Sequence, residues 1–407
     1  MPLKLLIAAD DFTGALDTAV QFSARGAAAW MEYGNSDLEP PEGTEVLSVD
    51  LETRHCTPET ARARAQALFR LAKEKGIPYL YKKTDSAMRG NVGAELAALS
   101  EVYGGKPILF VPAFPKMGRT VQNGVLRIQG TPVAETEFAH DPLNPVCRSD
   151  VCGLLAEQGA ERAISVRLDR FIGQHSGDAP FWAFDGETET ELRQIGAYLA
   201  KEGLLQLTAG NAGFGAVLAE QISWAPHRAA LHRKPGGILL ICGSLHANSA
   251  AQAAYAEEQL GFFAETLPEG LAECRGGWDT AVGSAVRYRL SQALQSGKNA
   301  VVRTAKRGGR VDTDAAQAVS ANLGELCREL LQTGAVGTLL IFGGDTLLGV
   351  MKALGCRRLC PVSEVCPGVV ASHLEIGFGG VVITKAGSFG EPALLRSVLH
   401  FLSEGQQ

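Results

Sequence analysis

No CxxC pair occurs among the nine cysteines of this 407-residue chain, and Cys356 and Cys360 have no His/Cys set beside them. A structural zinc site is thereby disfavoured. An odd count, scattered through strand-like and loop segments, argues for reduced thiols and against a disulfide framework. No apolar run is long enough to cross a bilayer. From Met1 the chain runs straight into a strand, with one Lys and no small-residue cleavage site, so a soluble, cytoplasmic protein is expected. Charge of one sign is not in large excess either. The net charge of -6 gives no global field toward nucleic acid or an anionic membrane, and neither is expected as a partner. Basic residues gather only locally, at Arg303, Lys306, Arg307 and Arg310, where they could hold phosphate.

Several signatures are missing as well. There is no GxxxxGKS/T loop, because Lys106 follows Gly105 but Pro107 comes next. No GxGxxG follows a strand, no HExxH occurs, and no GxSxG stands between strand and helix. No catalytic triad emerges from spacing. His55, His246 and His373 read as structural or solvated residues, although His246 follows a candidate phosphate turn.

What is present is alternation. Strand-like Leu3 to Ala9 precedes a helix from Ala15 to Arg25, and strand-like Glu45 to Asp50 precedes a helix opened by Thr57-Pro58-Glu59. That opening places a hydroxyl cap before a proline at the first helical position, and Gly76 ends the helix. Tyr79 to Lys82, Ile108 to Val111 and Leu204 to Thr208 read as further strands, with helices from Gly93 to Tyr103 and from Gly213 to Gln221; the pattern weakens between Gly130 and Ile164. Residues 224–237 are polar, basic and punctuated by Pro and Gly, which marks a linker. Alternation restarts with strands Gly237 to Cys242, Ala300 to Thr304, Thr338 to Phe342 and Val381 to Lys385. Between and after them lie helices from His246 to Leu260, Ala315 to Leu331 and Pro392 to Leu402. The expected fold is α/β: two domains with mostly parallel sheets, residues 1–223 and 238–407, and an active-site cleft between them.

In such sheets ligands collect at the carboxyl ends of strands. Asp10-Asp11-Phe12-Thr13-Gly14 follows the first strand. One aspartate suffices to cap a helix, so the second is free to bind a substrate hydroxyl, hold a metal or act as a base, and a nearby cation or hydroxylated ligand must offset their repulsion. Lys82 to Gly90 combines Lys83, Thr84, Asp85, Ser86 and Arg89, a mixture suited to an anionic, hydroxylated small molecule, and Arg54 lies on the same face. In the second half, Gly243-Ser244, Gly343-Gly344-Asp345-Thr346 and Lys385-Ala386-Gly387-Ser388 each carry a strand into a turn whose amides form an anion nest. A phosphate or nucleotide site is expected there. Asp345 reads equally as a metal-side carboxylate or as a helix cap, and Pro367-Gly368 adds one more turn.

The stretches ADDFTGALDT, KKTDSAMRGN, PAFPKMGRTV, GGDT and KAGSFG, in this order from Ala9 to Gly390, resemble the four-carbon acid sugar kinases. KKTDSAMRGN is more similar to the D-threonate and D-erythronate kinases than to the 3-oxo-tetronate kinases. The resemblance implies an N-terminal domain for the sugar acid, a C-terminal domain for ATP, Mg2+ on the phosphates, and transfer of the γ-phosphoryl group to the terminal hydroxyl. By matching positions, it assigns Asp10 or Asp11, Arg54 and Lys83 to Ser86 to the acid. It assigns Ser244, Gly343 to Thr346 and Gly387 to the nucleotide. Cys242 replaces the family's first serine in its turn. Arg89 joins the acid site by its charge. Asp11 and Asp85 are the expected catalytic pair, with Asp10 an open alternative as base. A homodimer is compatible with this reading, and a non-catalytic sugar-acid or nucleotide sensor is the alternative of a different class.

Overall fold

The computed structural model describes residues 2–34, 36–172, 179–227, 229–244, 246–273, 277–305, 313–387 and 389–404. Lys306, Arg307, Arg310 and Ser388 lie outside them. The chain divides into two units, residues 1–228 and 229–407.

The strands of the first unit are Leu5–Ala9 (β1), Ala29–Tyr33 (β2), Val46–Asp50 (β3), Tyr79–Lys83 (β4), Ile108–Val111 (β5), Arg119–Gln122 (β6), Val125–Ile128 (β7), Thr131–Pro132 (β8), Ala163–Val166 (β9), Phe181–Phe184 (β10) and Leu207–Gly210 (β11). Within this unit a fully parallel sheet runs β2-β3-β1-β4-β11-β5-β10-β9, and β6, β7 and β8 form a small antiparallel sheet. All of β1 is buried, as a central strand covered on both faces must be. The helix Pro58–Glu74 covers the sheet with Ala61, Ala65, Leu68, Phe69 and Ala72, and Thr57 caps it by accepting from the Thr60 amide at 3.3 Å. The first helix starts earlier than its apolar pattern suggests, at Phe12, because Asp11 supplies the cap. Leu207–Gly210 is displaced from the expected Leu204 to Thr208, which carries Gly210 to the sheet's carboxyl edge. The segment from Trp224 packs on its own unit: Trp224 meets Phe22 edge-on at 5.6 Å, and Ala225 N donates to Glu45.

The strands of the second unit are Gly237–Cys242 (β12), Phe263–Leu267 (β13), Ala300–Thr304 (β14), Val336–Phe342 (β15), Arg358–Cys366 (β16), Val369–Leu374 (β17) and Val381–Lys385 (β18). Their order is β13-β14-β12-β15-β18-β17-β16, parallel except that β17 runs antiparallel to both neighbours. Pro367 and Gly368 make the β16–β17 turn, a structural role. Among the described residues, no helix is long and apolar enough to cross a membrane.

Candidate active site

Register decides which side chains meet in the first unit. Ala9, the last residue of β1, pairs with Asp50 on β3 and with Lys83 on β4, so the residues that follow emerge side by side. Arg54 answers the repulsion between the paired aspartates. Its Nε donates to Asp10 Oδ2 at 2.8 Å and its Nη2 to Asp11 Oδ1 at 2.7 Å, with Asp85 Oδ1 at 3.7 Å from the same nitrogen. Burial alone would raise the Asp10 carboxyl, but Arg54, Lys82 and Lys83 together hold it below the usual range. Burial likewise disfavours the Arg54 cation, yet Asp10, Asp11 and Asp85 keep it firmly charged.

Asp11 caps the first helix, accepting from the Gly14 amide at 3.1 Å and from the Thr13 hydroxyl at 2.8 Å. Asp85 is gripped by Arg89 through Nε at 3.1 Å and Nη2 at 2.9 Å, and its Oδ2 also accepts from the Ala87 and Arg89 amides. Against the cost of burial, Arg89 and then Arg54 hold its carboxyl far below the ordinary range. The turn depends on left-handed backbone at Met88 (φ 61) and Gly90 (φ 83), and a Cβ on Gly90 would stand 3.2 Å from Arg54 Cγ. Arg89 continues to Asp141 at 3.2 Å and stacks over Phe138. Lys83 Nζ lies over the start of the first helix, 2.6 Å from where a Cβ on Gly14 would sit. Ser86 is half-buried in the Asp85 turn. Two atoms in this row, Asp10 Oδ1 and Thr84 Oγ1, are buried without a hydrogen-bond partner.

The structure adds residues that sequence reasoning left out. Asp50 is buried among these carboxylates. Burial first, then the charges of Asp11, Glu52 and Asp10, push its carboxyl well above the usual range. Its signal was its place, as the last residue of an apolar strand. Lys82 is turned into the core, where Nζ meets Glu95 Oε2 at 3.0 Å. Burial raises the Glu95 carboxyl, Lys82 draws it back, and Asp10 adds to the rise. Glu95 also accepts from the Thr53 hydroxyl, while Asn91 Nδ2 donates to the carbonyls of Thr53 at 2.8 Å and Cys56 at 2.9 Å. The Thr53 and Arg54 amides bind the Asp10 carbonyl at 3.0 and 3.1 Å. The loop that aims Arg54 is therefore tied down on three sides.

In the second unit the three turns touch. A Cβ on Gly343 would come within 3.3 Å of both Ser244 Cβ and Thr346 Oγ1, and one on Gly387 within 2.6 Å of Ser244 Oγ. Ser244, Gly343, Thr346 and Gly387 are thus brought together. Gly343 caps the helix Gly344–Ala353 with φ 107 and no side-chain bond, so the first-turn amides stay open to an anion. Asp345 is not the cap, correcting one of its two expected readings; it stands exposed in the first turn. His246 caps the helix Ala247–Leu260, and Arg303 is engaged by Glu257 at 2.6 Å. The crowding makes a test. Gly343→Val, strained by roughly 1–3 kcal/mol at a left-handed φ, is expected to weaken binding of a phosphate-bearing ligand at this turn at least about tenfold, measured by calorimetry.

Lys385, at the end of β18, fixes the last turn. Its Nζ donates to Ser249 Oγ at 3.0 Å and to the carbonyls of Gly387 at 3.0 Å and Phe389 at 3.1 Å, above the Phe342 ring. Burial pulls this amine down to about 8. An unfolded lysine titrates near ~10.4, so between these values the unfolded chain holds the extra proton. This group's contribution to stability therefore rises with pH across that window, and below it the cost of the buried charge is present in full. Urea unfolding at about pH 7 and about pH 10 should show that rise, and Lys385→Met should remove it.

Among the described residues, no group of three or more His, Cys, Asp or Glu side chains is placed to hold a metal ion.

Residues 5–218 match the family model described as a sugar-binding N-terminal domain, and residues 239–395 match the nucleotide-binding C-terminal domain. The D-threonate kinase of Bordetella bronchiseptica is 33% identical, over 96% of this chain and 95% of that protein. A D-erythronate kinase of Heliobacterium modesticaldum is 26% identical over 95% and 94%, and a 3-oxo-tetronate kinase of Pseudomonas fluorescens 27% identical over 98% and 97%. A crystal structure of a Salmonella typhimurium LT2 protein shares the fold, with a TM-score of 0.81 and 23% identity over 98% of this chain and 99% of that one. With both domain models matched and one-third identity over nearly its whole length, the chain belongs to the four-carbon acid sugar kinase family and is a phosphotransferase acting on an alcohol group.

Proposed function

We propose that this enzyme transfers the γ-phosphoryl group of ATP to the terminal (4-) hydroxyl of D-threonate, with residues 1–223 holding the acid and residues 238–407 the nucleotide. The observation that carries the reading is Asp10 Oδ1, a buried carboxylate oxygen without a partner in a row of matched charges. Both oxygens of Asp85 are taken by Arg89 and backbone amides, and those of Asp11 by Arg54, Gly14 and Thr13. Asp10 is then the group left to accept the substrate hydroxyl. Asp11 and Asp85 serve by fixing Arg54 and Arg89. A carboxylate held below its usual range is a weak base, but phosphoryl transfer through a loose transition state asks mainly for positioning of the attacking oxygen. The unpartnered Thr84 hydroxyl, with Lys83 and Ser86, is suited to the remaining hydroxyls of the acid.

Ser244, Gly343, Gly344, Thr346 and Gly387 would cradle the ATP phosphates. A Mg2+ carried on those phosphates would neutralise their charge, and Asp345, exposed in the first turn of the helix Gly344–Ala353, is the carboxylate proposed to face it. Identity supports D-threonate over the alternatives, D-erythronate and 3-oxo-tetronate, because the 33% relative carries that name. A pure sensor gains nothing from three clustered aspartates. A coupled ADP-release assay over D-threonate, L-threonate, D-erythronate and 3-oxo-tetronate tests this, with the highest kcat/KM expected for D-threonate. Preference for another acid reassigns the substrate, and binding without ADP release establishes the sensor.

A further inference from the structure

We propose that Arg119 recognises the carboxylate of the substrate, a reading that rests on the first unit being the acid's site. Arg119 opens β6, directly after the loop that leaves the carboxyl end of β5. The Phe114 amide donates to the Arg119 carbonyl at 2.7 Å and the Arg119 amide to the Phe114 carbonyl at 3.0 Å, which fixes the hairpin at that edge. Gly118 (φ 70) makes the tight turn before it, and the Gln129 amide donates to the Gly118 carbonyl at 2.7 Å. The residue is carried on a rigid support.

Three other cations of the site already have carboxylate partners. Arg54 is matched by Asp10 and Asp11, Arg89 by Asp85 and Asp141, and Lys82 by Glu95. Lys83 Nζ sits at Gly14 beside Asp11, and its charge acts on Asp10 and Asp85. Arg119 has no carboxylate at ion-pairing distance among the described residues. Its Nη1 donates to the Met117 carbonyl, and its Nε is buried with no hydrogen-bond partner. Burial works against its charge, as does Arg89, while Asp85 and Glu137 act in its favour, which places it within the field of the same cluster. A buried guanidinium N–H without a partner is costly, and a planar carboxylate offers two acceptors that match the guanidinium fork.

The test compares D-threonate with threitol, the four-carbon polyol that lacks the carboxylate. Arg119→Gln is expected to lower the threonate-to-threitol ratio of kcat/KM by roughly 30-fold, the size of a lost charge-assisted bond. Most of the change should appear in KM for the acid, with partial recovery in Arg119→Lys. Calorimetric Kd values give the same ratio if threitol turns over too slowly, and Arg119→Lys alone carries the test if Arg119→Gln does not fold. A ratio that stays unchanged, whether activity falls on both acceptors or on neither, overturns the assignment. An unsubstituted enzyme that phosphorylates no four-carbon acid overturns the underlying site reading, and Arg119's role falls with it.

Discussion

Asp10→Asn is expected to lower kcat for the acid by roughly 100- to 10,000-fold, the range for loss of a positioned proton acceptor, with KM for ATP unchanged. The substitution keeps the shape of the side chain, and an amide oxygen still accepts from Arg54 Nε, now 2.8 Å from Asp10 Oδ2. Arg54 also keeps Asp11, so the row is not dismantled. What disappears is the negative oxygen without a partner. Asp85→Asn should behave differently, because Asp85 acts through Arg89: its loss loosens the bidentate grip and the turn at Met88, raising the acid's KM along with lowering kcat. Steady-state kinetics on both variants, with thermal melts to confirm folding, separate the roles. If Asp10→Asn loses less than about tenfold while Asp11→Asn loses far more, the acceptor is Asp11.

Much of this arrangement is readable before any coordinates. Acidic, basic and hydroxyl residues stand directly after apolar strands, and in a parallel sheet every strand end lies on one edge. Composition also tells which half suits an acid and which suits phosphate. The pairing of charges is another matter. Arg54 reads as a ligand for the acid when met in sequence, and its bonds to Asp10 and Asp11 become visible only once the Ala9 to Asp50 register places their strands side by side. Lys82 and Lys83 are neighbours in sequence and opposites in space, one locked against Glu95 and the other over Gly14. Only the alternation of a strand, fixed by pairing partners far away, decides which faces the core. Arg119 stands in a stretch of turns and short strands whose periodicity is too weak to place it. The β16–β17 hairpin escaped notice for a related reason: Pro361 and the register shifts in β16 break the simple alternation that marks a strand.

Glu95→Ala is expected to cost about 3–5 kcal/mol of unfolding free energy, because removing one partner leaves a buried amine in the core. Lys82 is fully buried, and apart from Glu95 its Nζ finds only the carbonyls of Ala8 and Lys83, at 3.2 and 2.5 Å. Asp10 still acts on its charge, but no carboxylate remains at ion-pairing distance among the described residues. The double substitution Lys82→Met with Glu95→Leu removes the charge and its partner together, and well-packed apolar replacements of such pairs are neutral or stabilising. Urea unfolding should therefore show a large loss in the single variant and recovery in the double. Activity should not recover with it. Glu95 also accepts from the Thr53 hydroxyl, one of the ties on the Arg54 loop, and Leu cannot replace that bond. A double variant that is stable but slow, with Arg54 no longer aimed, would show that this buried pair serves placement and not stability. If the single variant loses less than about 1 kcal/mol, water reaches Lys82 and the core is wetter than its packing implies.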